Sequence, residues 1–358
     1  MPAAVERNRS FTSPRLGDLG LNLIEHLWTA LDFDSQDVAA AQRWFEVLAQ
    51  EWKDVEIAEG PRWPSDITDD HTPFELSVAV DDGQPEARML AEVGPPRGER
   101  LADWLRESWR RGRALNQRLE AEGTIDLGRL RAVEDLFEPG PDCERFAMWH
   151  ALCFRRGQAP SFKIYLNPSA RGEAPWTVID AAMTRLGLEW ARPALPRTSA
   201  LDEPVYFSLD LSASAAARTK IYIAHPAASA ESIERAVAHA TDHSPGLARS
   251  FCRRLAGSSG PYRARPVLTC IECVAPDRRT TATVHFPVRS YAADDAEVFE
   301  RVLAEVPSAS GHLLRSALRS VSRRDPTARA GMQTYVSKRL IAGRDRYTVY
   351  LAPEAYST

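Results

Sequence analysis

SFKIYLNP, residues Ser161 to Pro168, has close variants downstream: RTKIYIAHP at Arg218 to Pro226, TVHFP at Thr283 to Pro287 and TVYLAP at Thr348 to Pro353. The chain carries 41 Arg but four Lys (Lys53, Lys163, Lys220 and Lys338), so a Lys-Ile-Tyr triplet that occurs twice is not compositional drift. One strand is being reused.

Side chains two apart on a strand share a face. Lys163, Tyr165 and Asn167 therefore stand together, as do Arg218, Lys220 and Tyr222, and later Arg346, Thr348 and Tyr350. The opposite face carries Phe162, Ile164, Leu166, Ile221, Ile223, Val284, Phe286, Tyr347, Val349 and Leu351, which is a packing surface. Repeated tyrosines beside fixed cations point to an enclosed polar cavity. A solvated sheet face ordinarily mixes Lys, Glu, Thr and Ser.

A length of 358 residues allows about two domains, and 44% hydrophobic with 26% charged residues is an ordinary soluble composition. The net charge of -4 carries no bulk signature for nucleic acid or anionic membranes. No apolar run is long enough to span a bilayer, and the opening MPAAVERNRSFTSPR lacks an apolar signal core, so a cytoplasmic location is expected. Five scattered cysteines fit reduced thiols rather than a disulfide framework.

Helical periodicity runs from Leu16 to Phe33 and from Gln36 to Trp52, the second behind Ser35 as N-cap. A hairpin follows: Phe74 to Val80, the turn Asp81-Asp82-Gly83, and Arg88 to Val93. The same order returns with helices Gly98 to Glu122 and Leu127 to Phe137, then strands Arg145 to Arg155 and Ser161 to Asn167. A third unit has a helix at Pro175 to Leu186, a Pro-broken stretch at Arg192 to Pro204 where its second helix is poorly marked, and strands Val205 to Leu211 and Arg218 to His225. The fourth has helices Ser229 to Asp242 and Gly246 to Leu255, with strands Pro266 to Val274 and Thr280 to Val288. The fifth has helices Asp294 to Val306 and Gly311 to Val321, with strands Met332 to Ala342 and Tyr347 to Leu351. Equivalent positions Arg88, Lys163, Lys220, Thr283 and Thr348 lie 75, 57, 63 and 65 residues apart, too regular for two unrelated domains. Strands that arrive as hairpins make an antiparallel sheet, and ten of them can close, removing their edges and enclosing a ligand-sized interior with helices outside. The expected fold class is α+β, one domain over residues 1–358.

Other constellations are weaker. Cys270-Ile-Glu-Cys273 has metal-like spacing, but strand positions three apart face opposite sides and no second cysteine pair exists. His239 and His243 lack the glutamate of a zinc protease helix, and Gly94-Pro95-Pro96 and Gly257-Ser-Ser-Gly260 lack the context of phosphate loops. Neither Asp69-Asp70 nor Asp294-Asp295 extends into an aspartate-rich magnesium clamp.

TPFELS at Thr72 to Ser77, the paired KIY strands, Thr334-Tyr335 and TVYLAP, in order between Asp69 and Pro353, together resemble the dimethylallyltryptophan synthase family of indole prenyltransferases, in particular its shorter bacterial members. The resemblance implies an ααββ prenyltransferase barrel and transfer of a dimethylallyl group from dimethylallyl diphosphate to tryptophan or an indole-containing compound in secondary metabolism. It also implies no required cofactor, with magnesium at most stimulatory. Glu75 falls where the family's glutamate accepts the indole N–H. Arg88, Lys163, Arg218 and Lys220 fall on the diphosphate-binding cations, and Tyr165, Tyr222 and Tyr350 on the tyrosines that shield the allylic cation. Thr283, Tyr335 and Arg346 join the substrate-binding set, Arg346 because it shares the inward face with Tyr350.

One departure stands at the fourth unit, where the family shows Gln-x-Tyr and this chain has Thr283-Val284-His285. A shielding tyrosine is thus replaced by His285, a candidate proton acceptor for the arenium intermediate; His150, on the strand before Lys163, is a second. The expected partners are the diphosphate and an aromatic small molecule, with no nucleic acid or membrane, for a monomer or homodimer. Alternatives are a phenol or naphthol prenyltransferase, against which Glu75 is the main argument, and a non-catalytic barrel that binds a phosphorylated or aromatic ligand.

Overall fold

Five antiparallel hairpins close on themselves: β1 (Phe74–Val80) with β2 (Glu86–Glu92), β3 (Met148–Phe154) with β4 (Ser161–Leu166), β5 (Glu203–Asp210) with β6 (Thr219–His225), β7 (Val267–Val274) with β8 (Arg279–Phe286), and β9 (Gln333–Ile341) with β10 (Arg344–Leu351). Every strand pairs with its sequence neighbours, and β10 pairs with β1 through Ser77↔Tyr350 and Ala79↔Thr348, sealing a ten-stranded barrel. A computed structural model describes residues 15–80, 85–94, 100–241, 243–341 and 344–356. The turn expected at Asp81-Asp82-Gly83, the loop residues Pro95 and Pro96, the N-terminal stretch before Arg15, and the element ends placed at Gly98, Asp242 and Ala342 lie outside the described residues.

Helices sheathe the barrel. They are α1 (Leu16–Ala30), α2 (Ser35–Ala49), α3 (Leu101–Ala121), α4 (Gly128–Arg131), α5 (Pro175–Arg185), α6 (Ala230–Val237), α7 (Leu247–Ala256), α8 (Asp295–Leu303) and α9 (Ser308–Val321). Three local readings are corrected. The cap of α2 is Asp34, whose carboxylate accepts from the N–H groups of Gln36 and Asp37, rather than Ser35. The helix expected over Leu127 to Phe137 is one turn, α4, followed by a 3-10 turn at Glu134–Phe137; Leu127, Leu130, Val133 and Phe137 are buried, while Ala132 and Leu136 are only partly so. The irregular third unit replaces its second helix by a 3-10 turn, Glu189–Ala194, with Pro193 inside.

The expected packing face is the one that meets the helices. Phe74, Leu76, Phe162, Ile164, Ile221, Ile223, Val284, Phe286, Tyr347 and Val349 join one buried cluster with the inner stripes of the helices. Phe74 stacks on Trp52 at 5.8 Å and meets Phe45 edge-on at 5.1 Å. Truncating Phe74 to Ala removes both contacts, at a cost of about 3–5 kcal/mol. With one face of every strand committed to the helix layer, alternation sends the other face into the barrel. No described helix is long and apolar enough to cross a membrane.

Candidate active site

The barrel interior is arranged as two rings one strand-step apart. Lys163 and Tyr165, Lys220 and Tyr222, Thr283 and His285, and Thr348 and Tyr350 are each two residues apart, so an upper aromatic ring lies about 6–7 Å above a lower polar ring. The lower ring is cationic. Arg88, Lys163, Arg218, Lys220, Arg339 and Arg346 face the same cavity near the hairpin turns.

Three carboxylates, two buried (Glu86 and Glu272) and one half-buried (Asp210), hold these cations apart. Glu86 accepts from Arg88 at 2.6 Å and Arg346 at 2.9 Å, and Arg155 reaches it from the outer rim at 3.0 Å. Glu272 meets Lys220 at 2.9 Å, Arg339 at 2.5 Å and Arg218 at 3.6 Å, and Asp210 takes Arg218 at 2.6 Å. Burial alone pushes both glutamates up, but the surrounding cations win. Glu86 is held well below the ordinary carboxylate range by Arg88, Arg346 and Lys163, and Glu272 is brought down to about 2 by Lys220, Arg339 and Arg218.

Lys163 is different. Its ammonium lies 3.1 Å from the Cys153 sulfur and touches no carboxylate among the described residues. Burial, together with Arg218, Lys220 and Arg88, lowers it to about 8, with Cys153 opposing. Arg339 keeps its Nε buried and without a hydrogen-bond partner. Six cavity-facing cations against three carboxylates leave a surplus close to the charge of an ionised diphosphate ester, about three.

Above them the aromatic ring closes. Tyr165 and Tyr222 sit with ring centroids 5.8 Å apart and hydroxyl oxygens 3.4 Å apart, and His285 fills the next place, 5.4 Å from Tyr222 and 5.7 Å from Tyr350. The imidazole thus occupies the position of the missing tyrosine. Burial, then Lys220 and Arg88, lower it to about 3, so it is neutral at pH 7.

At the opposite end lies Glu75, 9% exposed. Its carboxylate accepts one hydrogen bond, from the Thr334 hydroxyl at 2.9 Å. Burial raises it to about 7 against that bond and the charge of Arg289. Leu90, Trp149, Tyr206, Leu268, Tyr335 and the aromatic ring enclose the chamber in front of it. The chain contains its own example of the pairing this chamber can make: Glu92, more deeply buried and also raised to about 7, accepts the indole N–H groups of Trp63 and Trp149, each at 3.0 Å.

All the sequence candidates except His150 line this interior, with Arg88, Lys163, Arg218, Lys220, Thr283 and Arg346 in the cationic half, Glu75 and Tyr335 in the aromatic half, and Tyr165, Tyr222, His285 and Tyr350 lining both. His150 is corrected. On β3 it shares the outward face with Met148 and Leu152, its Nε2 lies 2.9 Å from Asn116 Oδ1 on α3, and Gly112 of α3 crosses directly over it. Burial brings it to about 4, and it cannot reach the cavity. Cys270 lines the cavity while Cys273 joins the outer apolar cluster, as alternation requires.

Sequence reading missed Glu86, Asp210, Glu272, Arg339, Trp149, Tyr206 and Glu92. Alternation from Arg88 would have reached Glu86, but nothing in the sequence distinguishes an inward Glu272 from a rim carboxylate until Lys220↔Glu272 and Thr283↔Arg339 are in register. An open groove of about 650 Å³ beside the β5–β6 turn is lined by Asp210 and neighbouring loop residues and by no cation or tyrosine.

The family model for tryptophan dimethylallyltransferase matches residues 47–309. Among solved structures, 6-dimethylallyltryptophan synthase from Micromonospora olivasterospora, in complex with DMASPP and Trp, is 28% identical, with 96% of this chain and 99% of that chain covered at a TM-score of 0.87. The 5-dimethylallyl tryptophan synthase from Streptomyces coelicolor, also with DMASPP and Trp, is 25% identical, with 97% of each chain covered at a TM-score of 0.86. The PriB binary complex with product diphosphate is 30% identical, with 96% of this chain and 97% of that chain covered at a TM-score of 0.85.

Proposed function

We propose, for a chain that belongs to the tryptophan dimethylallyltransferase family, the following division of labour inside its barrel. The protein is a prenyltransferase that joins a dimethylallyl group from dimethylallyl diphosphate to tryptophan or a related indole. It works without a metal, as one domain, a monomer or homodimer in the cytoplasm. The observation that carries this reading is the buried, singly hydrogen-bonded Glu75 at one end of a cavity whose other end holds surplus positive charge.

The cationic ring takes the diphosphate. A cation about 4 Å from a phosphate oxygen gains on the order of 4 kcal/mol at an effective dielectric of 20, so Arg88, Lys163, Arg218, Lys220, Arg339 and Arg346 together supply what a metal would. The allylic C–O bond breaks and its electron pair leaves on the diphosphate. Tyr165, Tyr222 and Tyr350 face the allylic cation, each contributing roughly 0.5–2 kcal/mol and keeping water away.

Glu75 accepts the indole N–H. That charge-assisted hydrogen bond strengthens as positive charge develops on the ring, so its effect is concentrated in the transition state. A ring carbon bonds the allyl carbon, and the proton on that carbon must then leave. His285 is the acceptor within the aromatic ring: bound diphosphate offsets the Lys220 and Arg88 charges that depress its basicity. Mass spectrometry of the protein with tryptophan and dimethylallyl diphosphate should show an adduct heavier by one five-carbon unit, undiminished by excess EDTA. Complete loss on chelation, restored by magnesium, contradicts the metal-free reading. Absence of any adduct contradicts the acceptor.

A further inference from the structure

Two carboxylates stand close together on neighbouring strands: Glu75 on β1, opposite Leu90 of β2, and Glu92 at the end of β2, on the same face as Leu90. The first is where an acceptor ring would bind. The second already holds an indole. Glu92 is 2% exposed, and each of its oxygens takes one tryptophan N–H at 3.0 Å, Oε1 from Trp149 and Oε2 from Trp63. A buried carboxylate answered by neutral donors is a costly way to build a wall, and an apolar side chain of similar size would cost less. What the carboxylate supplies is direction.

Trp149 lines the acceptor chamber with Tyr165, its cross-strand neighbour on β4, and with Tyr222, His285 and Tyr350 of the aromatic ring. Phe146 stacks on it at 3.9 Å, and Tyr206 lies 5.3 Å away. Those contacts set the plane of the Trp149 ring, and the bond to Glu92 sets its rotation within that plane. Trp63 extends the hold to the loop before β1, which lays Asp66 and Ile67 along the same chamber. An acceptor needs such a reference surface. One hydrogen bond to Glu75 fixes a point and a direction, yet leaves the ring free to turn about that bond, and each turn offers a different ring carbon to the allylic cation.

We propose that Glu92 is a positioning residue for the reaction: by holding the Trp149 indole through its N–H, it sets the plane in which the acceptor ring lies and so selects the ring carbon that is alkylated. The inference rests on the reading of the chamber as an indole site. Glu92 acts through Trp149 rather than on a substrate, as a supporting shell that keeps a binding wall in place. Glu92→Gln probes this directly. The amide keeps one acceptor oxygen and turns an NH₂ donor toward whichever tryptophan N–H that oxygen leaves, so the two tryptophans cannot both stay where they are.

Chromatography of the products from tryptophan and dimethylallyl diphosphate reads the alkylated position. Glu92→Gln should raise the share of minor ring isomers roughly 2- to 10-fold, the bias that one hydrogen bond supplies. Affinity for dimethylallyl thiolodiphosphate, by calorimetric titration, should stay within about twofold of wild type. Trp149→Phe, which keeps an aromatic wall and removes the N–H, should shift the isomers as well, and the double variant should add little to either single change. A brace with a purely structural role would lower the melting temperature and leave the isomer ratio alone. An unchanged ratio in folded Glu92→Gln or in Trp149→Phe, or shifts that add in the double variant, overturns the positioning role, while wild-type turnover of tryptophan leaves the acceptor reading standing. If Glu92→Gln does not fold, the ratio in Trp149→Phe decides alone. If the wild-type protein alkylates no indole, the acceptor reading is overturned as well.

Discussion

Replacing Glu75 by Gln should make the protein slower and more stable at once. The carboxyl is buried, shares one hydrogen bond with Thr334, and ionises near 7 instead of 4.5, burial being the dominant cause. A carboxyl with a raised folded pKa contributes stability that is fully present below its unfolded value and is lost as pH rises from about 4.5 through about 7. Over that window the loss approaches about 3 kcal/mol, from roughly 1.4 kcal/mol per pH unit. Glutamine cannot ionise, so Glu75→Gln should match wild type in thermal unfolding at pH 4 and exceed it at pH 8. Turnover should move the other way. Losing the anion that answers the developing ring charge removes on the order of 2–4 kcal/mol of transition-state stabilisation, or roughly 30- to 1000-fold in rate. The rise of kcat/KM with pH through about 7 should flatten in the variant. Thermal melts at the two pH values and steady-state kinetics with tryptophan check both arms. Near wild-type turnover, or a variant less stable at pH 8, would refute the assignment of a strained carboxylate waiting for an indole N–H.

Lys220→Ala should weaken thiolodiphosphate binding by roughly 10- to 100-fold, whereas Lys338→Ala should leave it unchanged because that ammonium lies outside the cavity, 5.0 Å from the Tyr347 ring. Glu272→Gln removes a counter-charge from Lys220, Arg339 and Arg218; inorganic diphosphate should then inhibit about tenfold more strongly, measured as its inhibition constant. Donor affinity should decline above about pH 8 as Lys163 loses its proton, and this decline should be absent in Lys163→Arg, read by titration across pH. His285→Gln should change turnover or the ratio of product isomers, while His150→Gln, on the far side of the barrel wall, should change neither in the chromatographic profile.

The barrel was legible because strand alternation is unforgiving. Lys163 and Tyr165 cannot both point inward unless Phe162 and Ile164 point out, and five repeats of that constraint define one inner surface. Glu75 was legible for the same reason, between Phe74 and Leu76. His150 misled because β3 itself, Met148–Phe154, has no cation or tyrosine to set the phase; Trp149, Ala151 and Cys153 share the inward side there, and none looks polar enough to announce it. The carboxylates Glu86, Asp210 and Glu272 escaped because an acidic residue on a strand reads as solvent-facing until its cross-strand neighbours are known. Asp69 pairs with both Arg265 and Arg289 although the three come from loops up to 220 residues apart, and only closure of the barrel brings them together.

That closure also governs how the protein comes into being. β1 is made early and β10 last, yet each has the other as a permanent neighbour, and Ala355 donates its backbone N–H to the Thr72 hydroxyl across 283 residues of chain. During synthesis β1 therefore exposes an unzipped seam, with Glu75 still lacking Thr334, until the final hairpin emerges. Four finished hairpins amount to an open, sticky sheet rather than four-fifths of a catalyst. Competence should arrive in one late step, with a rate set by the long search for that seam, and a chain cut short before β10 should be a client for chaperones and not a weak enzyme.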